Sequence, residues 1–305
     1  MQREIIDVIA SRTNISHRDL IEKDLILHRL LLELSSNDHF SKSYAFKGGT
    51  CLMKCYLDYY RFSEDLDFTY LNQAKFQDKS GKQIREALSR EIDFLVETLT
   101  EISTVIGLTF KPDKRDINYV EHGGSNKQVT FKLWYVPDGA SKSTFIKIQI
   151  NFVEELEYPT IEKEADNVIF GKQDSFKSAF LLPENSGWLL KIPKIKCYDI
   201  KEILIEKVRA ILTRKGTKAR DFIDVFMIQK HEKLDARDFR KQIIKKVRSA
   251  LANEKYKVNL KERQGSDFTV DKAEEQRILL IPLPKDFDTS ILALNPFLKE
   301  LVEEI

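Results

Sequence analysis

The chain has 305 residues, and its 50 lysines and arginines nearly balance its 48 aspartates and glutamates. This length is enough for one large domain or two modest ones with a substantial core. A content of 42% hydrophobic and 32% charged residues, with 11 glycines and 8 prolines, argues against a disordered chain and against a turn-rich all-β protein. The net charge of +2 neither demands nucleic acid nor excludes it, because only a local basic patch would matter.

The cysteines and histidines give no sign of a metal centre. Cys51, Cys55 and Cys197 are odd in number and match no zinc-binding spacing, and the five histidines are scattered. The chain begins without an apolar signal segment and has no uninterrupted apolar run of membrane-spanning length. We therefore expect a soluble protein of the reducing cytoplasm, with no membrane partner, no structural zinc and no disulfide.

The first third of the chain alternates helical and extended patterns. Ser16-His17-Arg18-Asp19 is a capping signal for a helix whose leucines recur at helical spacing up to Leu34. Residues 46–68 predict a glycine loop, a short helix over residues 52–59 and a strand. Apolar residues then recur every three or four positions over residues 84–106, which predicts a long amphipathic helix.

Two segments of strict alternation follow this helix. Residues 129–135 and 146–152 each place apolar side chains on one face, as buried strands do. Pro137-Asp138-Gly139 between them is a strong turn signal, so the pair predicts a β-hairpin. From Asp199 the pattern becomes helical, and residues 292–305 predict a closing helix.

A glycine pair and two alternating aspartates form the most informative pattern. Gly48 and Gly49 precede Thr50, and Asp65 and Asp67 lie further on, in the predicted strand. Alternate side chains of a strand share a face, so the two carboxylates repel each other unless a hard divalent cation lies between them. The glycines let backbone N–H groups approach an anion. Together they predict a site for a nucleoside triphosphate with Mg²⁺.

Two residues next to the aspartates extend the predicted site. Ser63 continues the polar face of the strand, and Arg61 is either a phosphate clamp or an ordinary surface arginine. The aspartates could instead form a solvated strand face, and the glycines an ordinary turn. The separation along the chain between the glycine pair and the aspartate pair is that of a nucleotide-binding motif, which favours the nucleotide site.

This first motif resembles that of the polymerase-β-type nucleotidyltransferases. More narrowly, the chain is similar to the AbiEii/AbiGii toxins, the toxin halves of bacterial abortive-infection and type IV toxin–antitoxin pairs. Two further stretches match that family in order. Glu22-Lys23-Asp24 precedes the glycines, and Lys207 is followed by Arg220-Asp221 and Asp224.

The resemblance implies an α/β (α+β) fold, in which a small mixed β-sheet nucleotidyltransferase core is flanked by helices and followed by a mostly helical part. We place the domain boundary in residues 183–193. Residues 1–190 then form the core, and residues 191–305 form a helical domain that completes the active site. The implied reaction is Mg²⁺-dependent transfer of NMP from an NTP to an acceptor hydroxyl, with release of pyrophosphate.

Lys207 is the most informative residue beyond the first motif. On a helical projection it falls near the centre of an apolar arc, where lysines are rare unless they are paired or functional. It either reaches the β- and γ-phosphates across a domain interface or extends its long side chain to solvent. Asp221 and Asp224 could be surface acids, could hold Lys207 or Arg220 in place, or could supply a general base.

Enzymes of this superfamily usually add a third carboxylate from a neighbouring strand to hold a second metal ion. The predicted strand over residues 146–152 carries Lys147, Gln149 and Asn151 on its polar face, and no acid. Glu155 has the same parity but follows the strand. We therefore expect one Mg²⁺ ion in preference to two. A second hypothesis is that the protein is a non-catalytic NTP-binding module.

A basic stripe suggests the acceptor. Arg237, Lys241, Lys245 and Arg248 recur at helical spacing, either as a solvated face or as a track for RNA phosphates. The family resemblance implies a toxin that modifies RNA, with the 3′ end of tRNA as the expected acceptor, and a separately encoded antitoxin partner. Transfer to a protein or a small molecule is the remaining alternative.

Overall fold

A computed structural model describes residues 3–76, 81–123, 127–169 and 186–305. The chain divides into two compact units: Met1–Glu154 with Thr160–Tyr198, and Glu155–Pro159 with Asp199–Ile305. The first unit ends at Tyr198, whereas the boundary predicted from the sequence lies between residues 190 and 191. Residues 183–185 of the predicted boundary stretch lie outside the described residues.

The first unit contains a seven-stranded mixed sheet. The strands are β1 Tyr44–Lys47, β2 Asp65–Tyr70, β3 Val120–Gly123, β4 Gln128–Tyr135, β5 Thr144–Asn151, β6 Ile161–Glu164 and β7 Lys194–Cys197. Their order across the sheet is β3-β4-β5-β2-β1-β7-β6. The β2–β5 and β1–β7 pairs are parallel, and the other pairs are antiparallel. The antiparallel β4–β5 pair confirms the predicted hairpin, and the mixed sheet confirms the predicted fold class.

The central strands divide the sheet into an apolar and a polar face. Fully buried residues of β2, β4 and β5 line the apolar face: Leu66, Phe68, Val129, Phe131, Leu133, Ile146, Ile148 and Ile150. On the polar face, Asp65 pairs in register with Lys147 and Asp67 with Gln149. The alternation read from the sequence therefore holds, because a strand with one buried face must present its other residues on the opposite face.

Five described helices accompany the sheet. They are α1 Arg3–Thr13, α2 Arg18–Ser36, α3 Asp38–Ser43, α4 Gly48–Cys55 and α5 Gly81–Ile106. The predicted cap of α2 is wrong, because His17 occupies the N-cap position and no side chain caps the helix. The predicted short helix over residues 52–59 is also shifted. It starts at Gly48, directly after β1, and ends before Asp58 and Tyr59, whose positive φ angles are incompatible with a right-handed helix.

The second unit is helical in its described residues. Its helices are α6 Ile200–Thr213, α7 Ala219–Glu232, α8 Arg240–Ala250, α9 Glu254–Glu262 and α10 Phe287–Glu304. The closing helix begins at Phe287, ahead of the predicted start at residue 292, and continues through Pro296. Pro296 has no N–H to donate to the carbonyl oxygen of Leu292, four residues earlier. Because Leu292 is exposed, water can donate to that carbonyl oxygen instead. None of the helices in the described part of the chain combines the length and apolar character that a membrane crossing requires.

A buried ion pair links α4 to α2. Lys54 Nζ lies 2.7 Å from Asp24 Oδ1, and neither side chain is more than 4% exposed. The Tyr59 hydroxyl and the Val168 backbone N–H donate to the same carboxylate at 3.0 and 3.1 Å. A buried carboxylate needs such partners, because an unpaired charge in the interior is strongly unfavourable. The last residue of the Glu22-Lys23-Asp24 motif thus anchors the helix that begins with the glycine pair.

Candidate active site

The glycine turn between β1 and α4 lies directly against β2. β1 ends at Lys47, which pairs in register with Asp67. Gly48 then takes a φ of 77°, a left-handed conformation that favours glycine. A side chain at Gly48 would collide with the carboxylate of Asp67. The absence of a side chain therefore allows the N-terminus of α4 to lie beside an acidic group.

The second glycine is packed against Arg61. A Cβ at Gly49 would lie 2.7 Å from Arg61 Nη2 and 3.1 Å from Ser63 Oγ. Arg61 is 2% exposed, and its Nη1 donates to the Phe62 carbonyl oxygen at 2.7 Å. Arg61 is therefore buried against the glycine turn. It is not an ordinary surface arginine, which was one of the two possibilities that the sequence allowed.

Thr50 connects the turn to the aspartate strand. Its hydroxyl donates to the carbonyl oxygen of Asp65 and lies 2.8 Å from Ser63 Oγ. Thr50 is buried, whereas Asp65 and Asp67 are partly exposed. The structure thus brings together seven residues singled out from the sequence: Gly48, Gly49, Thr50, Arg61, Ser63, Asp65 and Asp67.

An acid that the sequence analysis missed lies on the same face of the sheet. Glu154 Oε2 forms an ion pair with the buried Lys47 and accepts hydrogen bonds from Thr69 Oγ1 and Asn151 Nδ2, each at 3.1 Å. Glu155, the acid that parity favoured, lies instead 2.5 Å from Lys245 in the second unit. Parity failed because β5 ends at Asn151 and the chain bends there, so alternation no longer determines where side chains point.

Lys207 of α6 is held by the two acids of α7. Its Nζ lies 2.6 Å from Asp224 Oδ2 and 3.2 Å from Asp221 Oδ1, and all three residues are buried. Arg214 adds a second cation, 2.5 Å from Asp221 Oδ2. Arg220, the other possible partner, is exposed. The ammonium therefore ends in a buried ion-pair cluster and does not extend freely into solvent.

The predicted basic stripe is divided between two elements and is partly neutralised. Arg237 lies in the 3₁₀ turn Ala236–Phe239, 3.0 Å from Asp235, whereas Lys241, Lys245 and Arg248 lie on α8. Lys245 pairs with Glu155 and Glu157 at 2.5 and 2.8 Å. Arg248 donates to the Glu304 carbonyl oxygen at 3.2 Å. These partners reduce the positive charge that the stripe presents.

Comparison with known proteins identifies the family. The model of the family described as "Nucleotidyl transferase AbiEii toxin, Type IV TA system" matches residues 29–298, and the chain belongs to this family. No curated protein matches the chain. Among solved structures, the nucleotidyltransferase toxin MenT4 (Rv2826c) of Mycobacterium tuberculosis H37Rv is similar, with a TM-score of 0.58 and 17% identity over 98% of this chain and 90% of that one. JHP933 of Helicobacter pylori has a TM-score of 0.44 and 16% identity, over 93% of this chain and 94% of its own.

Family membership makes the chain a nucleotidyltransferase of the toxin type. It implies an NTP substrate and an antitoxin partner, and nucleotidyltransferases generally use divalent metal ions. The similarity to MenT4 supports the fold alone, because the identity is low. The glycine turn and the two aspartates of the first motif lie within the matched region.

The close approach of the glycine turn to β2 can be tested with Gly48→Ala. A left-handed conformation of a non-glycine residue costs about 1–3 kcal/mol, and here the new methyl group also meets Asp67. We expect a lower midpoint of urea unfolding and a loss of NTP binding in calorimetric titrations with the four NTPs and Mg²⁺.

Gly187→Ala is the matched control. A Cβ at Gly187 has no atom within 4 Å, and its φ is not positive, so stability and NTP binding should stay unchanged. Unchanged NTP affinity in a folded Gly48→Ala protein would show that the glycine turn does not hold the nucleotide.

Proposed function

We propose that this toxin transfers a nucleoside monophosphate from an NTP to the 3′ end of tRNA in a Mg²⁺-dependent reaction. One observation carries the proposal: Asp65 and Asp67 lie on one face of β2, and Asp67 lies against the glycine turn at the N-terminus of α4. Carboxylates beside exposed backbone N–H groups can hold a triphosphate and its cation together.

Asp65 and Asp67 fit Mg²⁺ as ligands. Their carboxylates are hard oxygen donors, they are accessible, and the polar face of β5 opposite them carries Lys147 and Gln149, with no acid. These neighbours favour one ion over two. Bound there, Mg²⁺ would neutralise charge on the phosphate oxygens during nucleotidyl transfer.

The glycine turn is proposed to bind the β- and γ-phosphates. The first N–H groups of α4 have no partner within the helix, and the helix dipole favours an anion at this end. Arg61, packed against Gly49, adds a cation to this side of the turn. Because these donors stabilise charge on the leaving pyrophosphate, they would favour bond breaking at the α-phosphate.

Lys207 is proposed as a further phosphate ligand. Two carboxylates around one ammonium favour a role for Asp221 and Asp224 in orienting Lys207, since both acids are already engaged with a cation. A general base would need a carboxylate that can accept a proton from the acceptor hydroxyl. The observed ion pairs therefore favour orientation over base catalysis for these two acids.

The acceptor is proposed from the family resemblance and from the basic stripe. The family resemblance supports tRNA. Within the basic stripe, Lys241 and Arg248 are exposed and form no ion pair with a carboxylate among the described residues, whereas Arg237 and Lys245 are paired with acids. A protein or small-molecule acceptor would use the same nucleotide site. Labelling distinguishes these acceptors directly.

The proposed reaction predicts that Asp67→Asn abolishes transfer of label from α-labelled NTPs to total tRNA and relieves growth inhibition on expression. Removing one charge of a carboxylate pair lowers their repulsion, so the free energy of unfolding should hold or rise slightly. The assay uses each NTP separately with Mg²⁺ and total tRNA, followed by electrophoresis of the RNA.

Asp38→Asn is the control, since its side chain is 93% exposed on α3. It should retain full transfer. Label found on protein and not on RNA would redirect the proposal to a protein acceptor. Wild-type protein that binds NTP and labels no acceptor would contradict the tRNA reaction.

The proposed contact of Lys207 with the β- and γ-phosphates can be tested by comparing the binding of NTP and NMP. Lys207→Ala should weaken NTP binding by about 1.5–3 kcal/mol, the value of a charge-assisted hydrogen bond, and leave NMP binding unchanged. Asp224→Asn should show a smaller loss of the same kind, because it would loosen the ammonium without removing it. Equal losses for NTP and NMP in calorimetry would make Lys207 a structural residue.

The basic stripe predicts an effect on the acceptor and none on the nucleotide. Arg237→Gln, Lys241→Gln and Lys245→Gln combined should reduce tRNA affinity, and the salt dependence of binding should become less steep as phosphate contacts are lost. Mg-NTP binding should stay unchanged.

A control with the same loss of charge comes from α9, where Lys255, Lys257 and Lys261 are exposed. Their combined replacement by glutamine should leave tRNA affinity near the wild-type value. Equal tRNA affinities for both triple variants would mean that the stripe is a solvated surface.

A further inference from the structure

The fold gathers the three cysteines at one place. The sulfur atoms of Cys51, Cys55 and Cys197 all lie within 4.8 Å of one another, and all three thiols are free. The three cysteines match no zinc-binding spacing, because Cys197 is far from the other two along the chain. The tertiary structure therefore creates a three-sulfur cluster that the spacing did not predict.

Two neighbouring elements build this cluster. Cys51 and Cys55 are four residues apart on α4 and so share one side of that helix. Cys197 is the last residue of β7, where it pairs with Phe46 of β1, shortly before the glycine turn. Because α4 follows β1 directly, its first turns lie beside the end of β7.

The cluster lies in buried surroundings. Cys51 and Cys197 are fully buried, whereas Cys55 is partly exposed. The Tyr56 hydroxyl lies 3.8 Å from Cys197 Sγ and donates to the Tyr198 carbonyl oxygen at 2.6 Å. The Lys163 ammonium lies 4.5 Å from the centroid of the Tyr56 ring.

We propose that Cys51, Cys55 and Cys197 bind one thiophilic divalent cation of the Zn²⁺ type. Tetrahedral Zn²⁺ holds sulfur at about 2.3 Å, which places two sulfur ligands about 3.8 Å apart, within the spread of this cluster. Three metal–sulfur bonds form, and the three thiol protons leave to solvent. The fourth position is left to the Tyr56 hydroxyl or to a water molecule.

This site differs in chemistry from the one at Asp65 and Asp67. Thiolates select soft cations, whereas the carboxylates favour hard ones such as Mg²⁺. Bound metal would tie α4 to β7 immediately behind the glycine turn, since Cys51 directly follows Thr50. The site therefore acts as a metal-dependent clamp on the helix that carries the glycine pair.

Cd²⁺ and Co²⁺ are the probes, each titrated alone into the fully reduced protein. We expect sulfur-to-metal charge-transfer absorption that saturates at one ion per chain, the matching mass increase in native mass spectrometry, and no displacement by excess Mg²⁺. Bound Cd²⁺ should also protect Cys55 from alkylation. Cys55→Ala, at the partly exposed member of the cluster, should lose the absorption and the one-to-one binding.

Asp67→Asn should keep the full absorption, which separates this site from the proposed Mg²⁺ site. Circular dichroism confirms that the variants are folded, and Cys51→Ala and Cys197→Ala provide further tests at the buried positions. Two results would overturn the proposal: the absence of charge-transfer absorption in reduced wild type, or its persistence in Cys55→Ala. Ready oxidation of two of the thiols to a disulfide, with no metal bound by the reduced protein, would likewise replace the metal site with a redox pair.

Discussion

The close approach of the β1–α4 turn to β2 is the constraint on which the candidate site depends. Gly48 must lack a side chain, because the carboxylate of Asp67 occupies the space that a side chain would need. The antiparallel pairing of β1 with β2 places Lys47 opposite Asp67, so the turn and the aspartates are parts of one local arrangement. Shifting the register by one residue would move both aspartates into the apolar face and separate them from the turn.

Buried charges hold the surroundings of this turn in place. Asp24 pairs with Lys54 on α4, and Glu154 pairs with Lys47 at the end of β1. Removing one partner of a buried ion pair strongly destabilises the folded protein, because the other charge is left uncompensated. Each pair therefore specifies one position for the element that carries it. The helix that begins with the glycines is held near its C-terminal end by Lys54, and β1 is held at the residue that precedes them.

The polar face of the sheet shows where this chain departs from the expected carboxylate pattern. The neighbouring strand β5 offers Lys147 and Gln149 opposite the aspartates, and the acid nearest the strand end, Glu154, is engaged with Lys47. A carboxylate already paired with a buried ammonium has less capacity to bind a second cation. This arrangement supports the proposal of a single ion at Asp65 and Asp67.

The sequence by itself determined the local features of the protein. Periodicity of two defined β2, β4 and β5, periodicity of 3.6 defined the long helix α5, and motif spacing identified the glycine pair and the two aspartates. The strands and the long helix were predictable because they depend on residues close together in the chain. The ends of elements were less predictable: α4 started earlier than expected because a glycine with positive φ lets a helix follow a strand without a loop.

Only the tertiary structure decided which distant residues meet. It placed Glu154 on Lys47, closed Asp221 and Asp224 around Lys207, and buried Arg61 against Gly49. It also gathered three cysteines that no spacing rule connects. The physical reason is the same in each case. Side chains far apart in sequence are brought together by strand order and helix packing, which depend on burial of the whole apolar core and leave no local pattern in the chain.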